Sequence, residues 1–173
     1  MDRFLAGVER RALRIAEIAL RDRDEAMDVV QEAMLQLARR YGQLPPEQWP
    51  PLFYRILQNK IRDWQRRLAV TKRIFFWHAR SEENEDSEWL DDVADPAQPQ
   101  AQDLLQREQA MQRLERALAE LPRRQREVFE LRIWQGLNVE ETAQAMSCST
   151  GSVKTHLFRA LAALRDDLKG VWP

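Results

Sequence analysis

The sequence has no run of about 18 consecutive apolar residues, which excludes a membrane-spanning helix. Its opening, Met1-Asp2-Arg3-Phe4, lacks the basic-then-apolar layout of a secretion signal. A single cysteine, Cys148, excludes an internal disulfide framework and suits a reducing cytoplasm. His78 and His156 are the only histidines and neither has a partner pattern, while Cys148 alone cannot make a metal site. There is no P-loop, no dinucleotide glycine pattern and no nucleophile elbow. No catalytic residue, no metal and no cofactor are therefore expected, and the chain does not read as an enzyme. Glycine is scarce too, at five in 173 residues, and together with long 3.6-residue periodicity this predicts an all-α protein.

Net charge is also nearly absent, at −1 for the whole chain, but only because two blocks cancel. From Arg39 to Arg80 the basic residues are opposed only by Glu47 and Asp63; from Ser81 to Asp95 the sign reverses, with no cation. Blocks of opposite sign meet different partners, and the first suits a phosphate backbone.

The chain in order gives two helical units. Residues 4–20 place Leu5, Val8, Ala12, Ile15 and Ala19 at three/four spacing. After a polar break with Asp24 as cap, residues 25–41 bury Ala26, Val29, Val30, Ala33 and Leu37, leaving Asp28, Gln31 and Glu32 off the stripe; Gly42 ends this helix. Residues 42–51 hold Pro45, Pro46, Pro50 and Pro51 and read as a stiff loop that either presents Trp49 or uses it as a lid on the core. A third helix, 52–68, has Phe53, Leu57, Ile61, Trp64 and Leu68 as its apolar stripe. Arg55, Asn59, Arg62 and Arg66 share another face, a ridge about 16 Å long at 1.5 Å per residue. Asp63 stands four residues from both Asn59 and Arg67, within pairing distance of either.

Residues 69–103 read as a linker: a basic-aromatic piece through Phe75, Phe76 and Trp77, then the acidic run, then Pro96 and Pro99. The aromatic trio is too apolar for a free tether and is expected to dock. The helical period returns from Leu104, through Leu105, Met111, Leu114, Leu118 and Leu121; Pro122 starts another helix that stops at Gly136.

The most informative stretch is 138–168: a helix, a three-residue turn and a longer helix. Asn138 caps the first helix with Glu141 bonding back to it; Ser147, Cys148 and Ser149 form the turn; Ser149 or Thr150 caps the second. Val153, Leu157, Ala160, Leu161, Leu164 and Leu168 fall in one stripe of that second helix, opposite Gly151, Ser152, Thr155, Phe158 and Arg159, with Lys154 at the edge. Small residues, cations and an exposed aromatic on one face suit a DNA major groove; a solvated polar face on an ordinary helical hairpin is the alternative.

Five segments together resemble a known family: Asp28-Val29-Val30-Gln31-Glu32-Ala33, Tyr54-Arg55-Ile56 with Asn59, Asp63-Trp64-Gln65-Arg66-Arg67, Leu121 through Phe129, and Gly151 through Ala160. They look like the two characteristic regions of small bacterial RNA polymerase sigma factors, the extracytoplasmic-function (ECF) group of the sigma-70 family. The resemblance spans nearly the whole chain except the linker. It implies a region 2-like three-helix domain over 1–68, a linker over 69–103 and a region 4-like four-helix domain with a helix-turn-helix over 104–173. It implies core RNA polymerase docking through Asp28, Gln31 and Glu32. For the minus-10 element it implies base contacts by Trp49, Tyr54 and Asn59, and phosphate contacts by Arg55, Arg62 and Arg66. For the minus-35 element it implies Ser152, Lys154, Thr155, Phe158 and Arg159. The partners implied are core polymerase, promoter DNA and an anti-sigma factor, and the acidic run would mimic nucleic acid in the polymerase channel. Met27 and Leu52 depart from the family, which usually has a small or acidic residue and a tryptophan there. A free-standing helix-turn-helix regulator, and a helical interaction protein without DNA, are the competing expectations.

Overall fold

The computed structural model describes the backbone of residues 1–78 and 99–168, and side chains for 1–71 and 109–168. Every regular element among the described residues is helical. None of these helices is long and apolar enough to cross a membrane.

Helix α1 (Asp2–Leu20) buries Ala12, Ile15, Ala16, Ile18 and Leu20. It ends on Arg21, whose left-handed backbone (φ 56°) lets its N–H reach the Glu17 carbonyl. Asp22, not Asp24, caps α2 (Arg23–Tyr41), accepting from the Glu25 N–H at 3.0 Å. Asp24 lies inside the first turn, where its charge favours the positive end of the helix dipole. The buried side of α2 is Ala26, Val29, Val30, Ala33 and Leu37, as the periodicity predicts. Gly42 does follow the helix, though with φ −59° rather than a left-handed turn. Glycine is required by space: a Cβ there would stand 2.6 Å from the Ala38 carbonyl oxygen.

The proline-rich stretch does not remain a loop. Pro46–Gln48 forms a 3-10 turn, and α3 (Trp49–His78) starts at Trp49, three residues earlier than expected. Pro50 and Pro51 sit in the first turn, where a missing N–H breaks no helical bond. The same helix runs on past residue 68 to His78. The expected stripe Phe53, Leu57 and Ile61 is buried; Trp64 is half-buried and Leu68 exposed. Burial extends to both flanks of that stripe, to Leu52 and Ile56 on one side and to Tyr54 and Gln58 on the other.

The second half consists of α4 (Pro99–Glu120), α5 (Arg123–Phe129), a π segment (Glu130–Trp134), α6 (Val139–Met146) and α7 (Thr150–Asp167). Gly136, with φ 69°, makes the left-handed bend that a side chain would resist. An ionic network organises this half: Glu127, almost wholly buried, takes Arg123 at 3.1 Å and Arg124 at 3.0 Å. Arg124 also donates to the Met146 carbonyl at 3.0 Å, tying α5 to the end of α6.

The buried apolar residues of both halves form one continuous cluster. Helix α6 packs on α3, and α4 on α1. The Arg14 guanidinium on α1 donates to both carboxylate oxygens of Glu115 on α4, Nε reaching Oε1 at 2.6 Å, and Arg21 reaches Glu120 at 2.9 Å. The aromatic trio Phe75, Phe76 and Trp77 falls outside the described side chains, and the acidic run outside the described residues.

Candidate nucleic-acid and polymerase-docking surfaces

Helix α2 leaves one long face open. Asp28, Gln31 and Glu32 are exposed together, because the core needs only the opposite stripe. Met27 and Leu35 are exposed beside them, so the face mixes acids, an amide and apolar side chains. Glu32 is held by Lys60 of α3 at 2.6 Å, which fixes it against its neighbour helix. Exposed apolar side chains beside charged ones give α2 a surface with room for a protein partner.

Helix α3 splits its expected site residues between two environments. Asn59 and Arg66 are exposed, and Arg55 and Arg62 half-buried at the edge. Arg62 lies back along its own helix, donating to the Gln58 carbonyl at 3.2 Å and to the Asn59 side-chain oxygen. Asp63 pairs with Arg66 at 3.7 Å, rather than with Arg67 or Asn59. The ridge is therefore present and partly self-paired.

Tyr54 does not join that ridge. It is 2 % exposed, its ring edge-on to Phe53, and its hydroxyl meets Gln135 Oε1 at 2.5 Å. Burial raises its hydroxyl pKa, so it stays a neutral donor. Trp49 is also held: its Nε1 donates to the Tyr41 carbonyl at 3.1 Å and its ring packs 5.9 Å from Phe4. It lies half-buried as a lid over the core, the second of the two roles the sequence allows.

Helix α7 presents the third surface. The capping box of α6 forms with both bonds, Glu141 N–H to Asn138 at 2.8 Å and Asn138 N–H to Glu141 at 2.7 Å. Ser147, with φ 52°, turns the chain, and Ser149 caps α7 by accepting from the Ser152 N–H. Val153, Ala160 and Leu164 anchor α7 in the core. Leu161, expected in that stripe, is 45 % exposed, since it lies at the stripe's margin. On the outer face Lys154, Thr155 and Arg159 are exposed and Phe158 is 75 % exposed, with Ser152 partly so. A Cβ at Gly151 would meet nothing nearer than Ser149 Oγ at 3.8 Å, so the fold itself does not demand glycine there. The small residues keep the helix start low, as close approach to a groove requires.

Sequence periodicity missed the residues that join the halves: Arg14, Glu115, Gln58, Glu130 and Gln135. Glu130 and Gln135 gave no separate signal, because the segment 123–135 already carries Arg123, Arg124, Gln125, Arg126, Glu127 and Arg132.

Comparison with known proteins agrees with this geometry. Residues 1–71 match the family described as sigma-70 region 2, and residues 111–164 the family described as sigma-70 region 4. The RNA polymerase sigma-E factor of Streptomyces antibioticus is 35 % identical over 84 % of this chain and 71 % of its own length. That of Streptomyces coelicolor is 34 % identical over 90 % of this chain and 78 % of its own. The RNA polymerase sigma factor SigV of Bacillus subtilis is 29 % identical over 90 % and 82 %. Among solved structures, the sigma factor RpoE in complex with the anti-sigma factor NepR from Bartonella quintana superposes with a TM-score of 0.64 at 25 % identity, over 98 % of this chain and 99 % of that one.

Proposed function

The chain belongs to the ECF group of sigma-70 family RNA polymerase sigma factors, and on that premise we propose which of its surfaces meets each partner. The protein binds core RNA polymerase and directs promoter recognition and transcription initiation. It is an initiation factor, and no catalytic step is assigned to its residues. Its place of work is that of the polymerase and the DNA, the cytoplasm.

Residues 1–68 dock on core polymerase through Asp28, Gln31 and Glu32 and serve the minus-10 element. Residues 104–173 read the minus-35 element, and 69–103 link the two. The reading is supported above all by the open outer face of α7. Ser152, Lys154, Thr155, Phe158 and Arg159 share one side of a helix whose opposite side is locked in the core. Arg159 and Lys154 have the reach for guanine edges or phosphates, and Phe158 for a thymine methyl. On α3, Arg55, Arg62 and Arg66 would neutralise the backbone and the exposed Asn59 would serve an unstacked base, whereas Tyr54 and Trp49, held in the core here, would serve it only once freed. An anti-sigma factor is a further partner, since the similar sigma factor RpoE is solved in complex with one.

Retention of bacterial core polymerase on the tagged protein tests the docking assignment. The wild type should retain core, and Asp28→Arg should not, while its circular dichroism stays unchanged. Full retention by a folded Asp28→Arg would place the docking face elsewhere.

A further inference from the structure

The acids on the open face of α2 are not all placed by α2 itself. Glu25, Asp28 and Glu32 recur at spacings of three and four, so they stand in one row along that helix. On α3, Lys60 and Trp64 are four residues apart and share a face in the same way. The two rows are tied twice. The Trp64 indole Nε1 donates to Glu25 Oε2 at 2.6 Å, and Lys60 Nζ donates to Glu32 Oε2 at 2.6 Å. The later residue of α3 meets the earlier one of α2, so the helices run antiparallel and the ties flank Asp28. Asp28 itself is exposed, and its side chain makes no hydrogen bond or ion pair among the described residues.

The fold does not depend on either tie. The buried stripes of α2 and α3 supply the apolar packing that holds the helices together, and the Trp64 ring packs against that cluster whatever its N–H does. Lys60 and Glu32 keep 24 % and 64 % of their side-chain surface in water, and a pair so wet adds little to stability. What the ties fix is direction. An untied glutamate on an exposed helix face samples many rotamers, and ordering it at the moment of binding costs affinity. Each tie occupies Oε2 and leaves its carboxylate a second oxygen to accept from a partner. Trp64 is a neutral donor, so three carboxylates stand against one ammonium and the row stays acidic.

We infer that Lys60 and Trp64 are positioning residues for core polymerase docking: they set the carboxylates of Glu32 and Glu25 on either side of Asp28, so that the acidic row meets cations of the polymerase already ordered. The inference rests on the docking role given to Asp28 and Glu32 above, and it adds Glu25 to that row. The rival role for Lys60 is a direct phosphate contact, since it adjoins Asn59 on the helix that carries the cationic ridge.

The affinity of the full tagged chain for bacterial core polymerase, measured by biolayer interferometry without DNA, tests this. Lys60→Met keeps most of the stem and removes the charge. It should weaken core binding by about two- to tenfold, the cost of ordering one freed side chain. Lys60→Arg, which can keep the pair, should restore most of the loss. In a Glu32→Ala background Lys60→Met should cause no further loss. Trp64→Phe keeps a ring and removes the donor; it should weaken binding to a similar degree, and should add nothing to Glu25→Ala. Thermal midpoints should stay near that of the wild type throughout. If Glu32→Ala and Asp28→Arg lose core while Lys60→Met binds like wild type, the positioning role is overturned and the docking face stands. An equal Lys60→Met loss with and without Glu32 also overturns it, because Lys60 then acts on a partner directly or through the fold. The same two outcomes for Trp64→Phe against Glu25→Ala overturn the share of Trp64. If Glu32→Ala and Asp28→Arg both bind like wild type, the docking reading fails and the positioning role falls with it.

Discussion

Helices α3 and α7 carry the same kind of chemistry in opposite states. Both set cations and an aromatic residue beside a buried stripe. On α7 the aromatic, Phe158, is 75 % exposed; on α3 the aromatic, Tyr54, is 2 % exposed with its hydroxyl engaged by the other half of the chain. The difference follows from what each helix packs against. Helix α7 is covered on one side, by α5, α6 and α4. Helix α3 is covered on two, by α1 and α2 on one side and α6 on the other. A surface that reads duplex DNA can stand ready, because a groove is always presented. On the roles proposed above, the surface for an unstacked base is needed only after melting, and it is the one that the fold covers.

The largest expected effect tests whether the two helices share one cooperative core. Phe53 is fully buried in the continuous cluster, and Phe53→Ala should cost about 3–5 kcal/mol. If the halves unfold together, hydrogen exchange should speed up in α7 as well as in α3; if it speeds up in α3 alone, the cluster is two cores in contact. Next comes Arg159→Ala, which should weaken binding of a minus-35 duplex by roughly 1–3 kcal/mol if it reads a base edge. Fluorescence anisotropy checks it, and an unchanged affinity would take Arg159 off the DNA-contacting face of α7. Asn138→Ala removes the capping box that sets the start of α6, at about 1 kcal/mol by denaturant titration, and leaves α3 untouched. The smallest effect belongs to Glu120→Ala. Its pair with Arg21 is exposed on both sides, so it should move stability by less than about 0.5 kcal/mol. A larger change would show that this exposed pair contributes more to holding α4 against α1 than its exposure implies.

The same contrast explains what was legible in the sequence. Helix α2 meets the core on one side only, so its periodicity named every buried residue, Ala26 to Leu37. The caps at Asn138 and Ser149 were legible because capping is local chemistry. Helix α3 was half legible: Phe53, Leu57 and Ile61 follow the period, whereas Tyr54 and Gln58 are buried by partners 81 and 72 residues away and look like surface residues in sequence. Periodicity detects burial only when burial selects apolar side chains. The early start of α3 was hidden by Pro50 and Pro51, since a proline reads as a breaker and fits a first turn equally well. Docking at Asp28, Gln31 and Glu32 came from the resemblance; the helical period itself gave only their exposure.

The π segment has a consequence for insertions and deletions. A π turn holds one residue more between bonded groups than an α turn, and here the Gln135 N–H closes onto the Glu130 carbonyl at 3.0 Å. Residues 130–134 thus absorb one residue without moving the chain on either side. A homologous chain one residue shorter within this segment would close ordinary α turns and still deliver its glutamine to the tyrosine of the facing helix. One residue fewer in α5 would instead rotate everything beyond it by about 100°. Length variation among relatives should therefore be found inside this segment and be rare immediately before it.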